Sequence, residues 1–219
     1  MAPDRINGAN QGFLLELIFF IAIFLGFNPH LYAECSTSND QLLEEQPSYN
    51  QGNGIDPTYY KHFQEILLDK DSVITEVSVV VFRASENMDR DLIFSFYSVN
   101  GNHEPLAQVS GTEVVKPYNE IENSVQLVAF TLASPVSLSA GNYAIHLELA
   151  DGSSTRGYYW MRIYNASDPY PDGISGYWYP YSSSWSTTQE LDYAFRIYGC
   201  EVPHEPLRLR INNNSDATP

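Results

Sequence analysis

Positive charge is scarce in this chain. Three lysines and eight arginines stand against 27 acidic residues in 219, giving a formal net charge of −16 at pH 7. A surface of that sign repels phosphate backbones and anionic membranes, so nucleic acid is not an expected partner. The same acidity would keep an extracellular β protein in solution. Motifs for chemistry are missing too. The five histidines, His30, His62, His103, His146 and His204, are scattered, with no HExxH and no paired His or Cys ligands. No nucleophile stands beside a base. Glu65, Glu76 and Glu148 fall on expected strands, and paired carboxylates can run glycoside hydrolysis. Among 27 acids, however, such pairs carry no specificity. Helical periodicity is absent over any useful length.

Long apolar runs are confined to one. Phe13 to Phe27 is broken by Glu16 alone, follows Arg5, and ends at Asn28-Pro29. Fifteen apolar residues suit a signal peptide better than a membrane span of about 20. Residues 1–33 are therefore expected to be a signal peptide, with a retained membrane anchor as the alternative, and the remainder to lie outside the cell or in its envelope. Cysteine is limited to Cys35 and Cys200. In an oxidising compartment such a pair reads as one disulfide tying the start of the exported part to its last strand. Glu34 precedes Cys35, where lipidation would require a small residue.

Aromatic residues are abundant, and they are clustered. Gly157 to Gly199 holds 13 of the 30 aromatics and all three tryptophans. Turn formers divide that block, which reads as three strands joined by two aromatic-lined loops. Upstream, residues 34–57 are polar and read as a linker with one turn of helix at Gln41 to Glu45. From Tyr59 the pattern has period two. Val73, Val77, Val79 and Val81 share a face, as do Leu92, Phe94 and Phe96. So do Val128, Phe130 and Leu132, and then Tyr143, Ile145, Leu147 and Leu149. Ser134 to Gly141 reads as a turn into the last of these strands. Leu191 to Tyr198 reads as one strand with Asp192 and Arg196 facing out. About eight such strands predict an all-β domain over residues 58–200, an antiparallel two-sheet β-sandwich of jelly-roll type, followed by a disordered tail at 201–219.

Pro135 to Tyr143, Trp160, the loop from Asn165 to Tyr170, Ser184-Trp185, and Asp192 to Phe195 with Tyr198-Gly199 together resemble secreted bacterial β-sandwich modules of the "choice-of-anchor" type. They are more distantly similar to carbohydrate-binding jelly rolls. The resemblance covers about Tyr59 to Gly199 and implies a non-catalytic module of an exported protein.

Tyr and Trp rings offer flat platforms for the C–H faces of sugars. Trp160, Tyr170, Trp178, Tyr179, Tyr181 and Trp185 are the candidates for stacking on a glycan. In Gly176-Tyr177-Trp178-Tyr179-Pro180-Tyr181 both alternating sets are aromatic, so the register decides which rings face solvent. Packing under the loops is the competing reading for the same rings. Asn165, Asp168 and Asp172 could offer oxygens to Ca²⁺, although Asp-Pro and Asp-Gly are ordinary turn chemistry, and no other cofactor is expected. Asn165-Ala166-Ser167 and Asn213-Asn214-Ser215 are formal glycosylation sequons. Two functions follow as expectations: glycan binding through the aromatic loops, or a structural and adhesive envelope role through protein contacts.

Overall fold

Hydrophobic alternation takes the chain into strands throughout the computed structural model, which describes residues 40–164 and 168–203. Fourteen strands are formed: β1 (Gln41–Gln46), β2 (Gln51–Ile55), β3 (Lys61–Leu68), β4 (Ser72–Arg83), β5 (Leu92–Val99), β6 (Pro105–Gln108) and β7 (Val114–Lys116). After these come β8 (Gln126–Leu138), β9 (Gly141–Leu149), β10 (Tyr158–Tyr164), β11 (Ser175–Tyr179), β12 (Ser184–Thr188), β13 (Leu191–Tyr193) and β14 (Phe195–Glu201). Every pairing is antiparallel. One seven-stranded sheet runs β1-β14-β4-β10-β13, with β8 beside β4 and β2 beside β10. The other runs β12-β11-β3-β9-β5-β6, with β7 beside β5. The two sheets pack face to face as the expected all-β sandwich.

The core lies where the alternation placed it. Val77, Val79 and Val81 of β4, Val128 and Phe130 of β8, and Phe195 and Ile197 of β14 meet Phe94, Phe96, Ile145, Leu147 and Ile66 from the opposite sheet. Below Thr75 the parity of β4 changes. The register shifts there against both neighbours, so Ile74 rather than Val73 points inward. Across the same irregularity β8 carries several extra residues, including Pro135, which needs no ladder donor in a bulge. Ser134 to Leu138 is therefore the end of a 13-residue strand, not a turn.

Two further expectations are corrected. The polar stretch from Gln41 to Ile55 is not a linker with a helical turn, because β1 and β2 pair with β14 and β10 and extend a sheet. Its side chains are polar because the backbone, through ladder bonds, does most of the holding. The aromatic block forms five strands instead of three, and its final stretch is broken at Ala194. There β10, which lies along β4 at Tyr158–Trp160, peels away and pairs with β13. The chain then crosses Ala194 and joins β4 as β14. The Ala194 N–H donates to the Met161 carbonyl at 2.9 Å, and its own carbonyl receives the Val80 N–H at 3.3 Å and the Trp160 indole N–H at 3.0 Å. Cys35, residues 1–33, Asn165 and the tail from 204 lie outside the described residues.

Trp160 is fully buried and stacks on Tyr193 with ring centroids 4.3 Å apart. Its truncation removes both that packing and the bond to Ala194. Trp160→Ala should cost about 3–5 kcal/mol in urea unfolding, whereas the partly exposed Trp178→Ala should cost about 1 kcal/mol or less. Equal losses for the two would contradict this placement.

Candidate functional site

On β3, β9 and β5 of the β12-bearing sheet, one set of side chains enters the core and the other forms the outer face. The register of β3 with β9 puts Lys61 opposite Glu148, Phe63 opposite His146, and Glu65 opposite Ala144 on that outer face. On β11, Gly176 falls opposite Phe63. A Cβ at Gly176 would stand 2.6 Å from both the Phe63 ring and the Ser186 carbonyl, so glycine is what lets Phe63 lie across the strand. Trp185 of β12 covers that ring edge-on at 5.0 Å and contacts the His146 ring at 5.9 Å. Trp178 faces Trp185 as its cross-strand partner, with centroids 5.4 Å apart. Tyr97 closes the far side of His146 at 4.6 Å. The result is a ring-lined platform of Trp178, Trp185 and Tyr97, flanked by the Lys61–Glu148 ion pair at 3.3 Å.

This register settles the tyrosine-rich strand. Tyr177 and Tyr179 take the face opposite to Trp178. Tyr177 meets Tyr59 and His62. Tyr179 stacks on Tyr59 at 5.9 Å, and Tyr181 extends from the turn with 82% of its surface exposed. Of the six stacking candidates, then, Trp178, Trp185, Tyr179 and Tyr181 belong to one projecting hairpin. The other two are corrected to core residues. Trp160 sits under Ala194, and Tyr170 is buried edge-on to Phe195, its hydroxyl accepting the Leu67 N–H. Both rings lie where strands from the two halves of the sandwich converge, and composition cannot distinguish that from a loop.

Among the described residues no cluster of three His, Cys, Asp or Glu could hold a metal ion. Asn165 lies outside them. Asp168 adopts a left-handed φ of 52°, with its Oδ1 buried and unpartnered, while Asp172 is exposed. Asp192, expected to face out, is instead fully buried. Its carboxylate accepts bonds from the Gln64 amide at 3.1 Å and the Tyr170 N–H at 3.0 Å. The break at Ala194 leaves β13 paired with β10 and β14 paired with β4, and Asp192 lies against Gln64 and the Tyr170 N–H.

Alternation alone had also left His146 on an open polar surface. Phe63, Trp185 and Tyr97 bury it, and its Nδ1 has no hydrogen-bond partner. A second histidine, His62, was not singled out. It is buried on the core side, its Nε2 donating to the Tyr59 carbonyl at 3.1 Å and its Nδ1 accepting from the Tyr193 hydroxyl at 2.7 Å. The period-two position of His62 beside Phe63 was the available signal.

No family model and no curated protein matches this chain.

Burial depresses both imidazoles to about 3, with Arg162 adding to the effect at His62 and Lys61 at His146. Burial also raises Asp192 to about 6, against the opposing bonds from Gln64 and Tyr170. The two effects on stability have opposite signs. Between pH 6.5 and about 3 the unfolded chain takes up protons that the folded histidines refuse, so stability falls with pH. Between about 6 and 3.8 the folded Asp192 takes its proton first, which partly offsets that loss. Two histidines outweigh one aspartate. The urea midpoint should therefore fall from pH 7 to pH 5, less so in His146→Gln and more steeply in Asp192→Asn; a midpoint rising on acidification would reverse the assignment.

Proposed function

We propose that this protein is a non-catalytic, exported β-sandwich that binds a glycan through the outer face of its β12-bearing sheet. The observation that carries this reading is the Trp178–Trp185 pair, held in register across a hairpin and flanked by Tyr97. Partly exposed rings, with Trp185 resting on Phe63 and His146 and Trp178 against Trp185, present an apolar surface to a sugar. The Lys61–Glu148 pair supplies polar groups at its margin.

A second reading has a surface of its own. Outside the other sheet, Leu42, Tyr49, Val125 and Leu127 are exposed apolar residues, and a groove of about 250 Å³ opens between Pro47, Tyr49 and Leu127. Contact with a protein partner in an envelope assembly would use that side.

The export called for by the leader accompanies either role. So does a Cys35–Cys200 disulfide, with Cys200 on β14 opposite Val73. Protein recovered from an oxidising compartment should show no thiol reactive to a maleimide label after denaturation. Full labelling of both cysteines would remove the disulfide from this account.

Trp178→Ala should abolish retention on polysaccharide in affinity electrophoresis with little change in thermal midpoint. Trp185→Ala should lose both retention and some stability, since Trp185 also roofs Phe63. Retention unchanged in Trp178→Ala would refute glycan binding at this face, and unchanged retention in both together with loss of partner capture in Tyr49→Ala would favour the second reading.

A further inference from the structure

Two residues along β3 from Phe63, on the same outer face as the tryptophan pair, the chain buries a carboxylate at the edge of a cavity. Glu65 has a side chain only 1% exposed. Its Oε1 accepts from the Asn142 amide at 2.7 Å and lies 3.0 Å from His103 Nδ1. Its Oε2 lies 3.1 Å from the same Nδ1 and accepts the Ile174 N–H at 3.3 Å. His103 shares one N–H between the two oxygens, so three donors make four contacts, two on each oxygen. Three separate segments contribute those donors: the turn after β5, the start of β9 and the approach to β11. The carboxylate is thus fixed in place before any ligand arrives.

The cavity beside it measures about 190 Å³ and is lined by Glu65, His103, Asn142, Asp172, Gly173 and Gln189. Its walls carry amides, carboxylates and an imidazole, with Pro171 and Ile174 as apolar members, in contrast to the ring-lined platform on the same sheet. Its volume is below the roughly 300–1,000 Å³ of a whole small-molecule site, the scale of one small unit. Gly173 must be glycine, since a Cβ there would meet the backbone carbonyl of Glu65 at 2.1 Å; its absence lets the turn before β11 pack against β3. Two carboxylates face one imidazole that is 58% exposed, which leaves the cavity with an excess of negative charge.

We propose that this cavity is a subsite for a cationic amino sugar, continuing the glycan face defined by Trp178 and Trp185. The proposal rests on the glycan reading above and narrows it. A ring stacked on the tryptophans positions the next unit of a chain over the cavity, where an ammonium group meets Glu65 and Asp172. Hydroxyls meet Asn142 and Gln189. A uronic acid placed there would face both carboxylates and be rejected.

Tetramers of glucosamine, glucose and galacturonic acid titrated into the full chain at pH 6 and 0.15 M salt test this directly by calorimetry. Glucosamine should bind roughly tenfold more tightly than glucose, the scale of one hydrogen bond to a charged group, and galacturonic acid most weakly. Asp172→Asn, at an exposed position, and Glu65→Gln, with folding verified by its thermal midpoint, should each shrink the glucosamine-to-glucose ratio several-fold. General attraction of a polycation to an acidic protein would leave that ratio untouched in Asp172→Asn, and this result would overturn the subsite. Three tetramers bound alike, and all lost in Trp178→Ala, would overturn the subsite while leaving the glycan face intact. No binding of any tetramer would overturn both.

Discussion

The sandwich depends on how the carbonyl of Ala194 is shared. It receives the Val80 N–H and the Trp160 indole N–H together, at the point where β10 leaves β4 and β14 takes its place. A strand that parts from its neighbour exposes backbone donors and acceptors, and each buried orphan is expensive. Here the parting strand finds β13, the incoming strand finds β4, and the residue between them bonds to both. Trp160 can then fill the fork, stacked on Tyr193. The indole is one of the few side chains that offers a large apolar body and a donor at its edge.

That junction accounts for the polar groups inside the fold. With β13 paired to β10 instead of β4, Asp192 is buried and must find donors, which Gln64 and the Tyr170 N–H provide. Tyr193 turns toward His62 and Asn53, and its hydroxyl is shared between them. Burial pushes this phenol up to about 12, so it is a donor to His62 Nδ1 at neutral pH. These networks are satisfied by residues from β2, β3 and β13, so they also fix how the N-terminal strands meet the C-terminal ones. A polar network that is complete gives one arrangement of the strands preference over its near alternatives.

Much of the fold was legible because a two-sided sheet writes period two into its sequence. Val77, Val79 and Val81, Phe94 and Phe96, and Ile145 and Leu147 all point where alternation sends them. The failures have specific causes. A bulge at Thr75 exchanged Val73 for Ile74, and a bulge in β8 hid the continuation of that strand past Pro135. The strands at 41–55 carry little apolar signal, because edge strands of polar sequence are held by backbone bonds and not by side-chain burial. At the site, Trp178 and Trp185 were legible as stacking candidates, but the register of the tyrosine-rich strand and its pairing with β12 were not. Trp160 and Tyr170 looked the same in composition and proved to be core, since a ring at a strand junction and a ring on a platform differ only in what covers them. Glu65 was visible only as one acid among many. Its significance comes from Asn142, His103 and Ile174, which are far away in sequence.

The hairpin of β11 and β12 is attached to the sheet by a short seam. Cα partners with β3 run only from Ser175 to Tyr177, and β12 has no neighbour on its other side among the described residues. Trp178 and Tyr179 therefore extend past the last rung, like a cantilever anchored at Gly176. Segments with few ladder bonds open at a small fraction of the global unfolding free energy. The body of the sandwich can then remain rigid while the ring-bearing arm samples slightly different angles over Phe63. Such an arm can change its tilt without disturbing the core behind it.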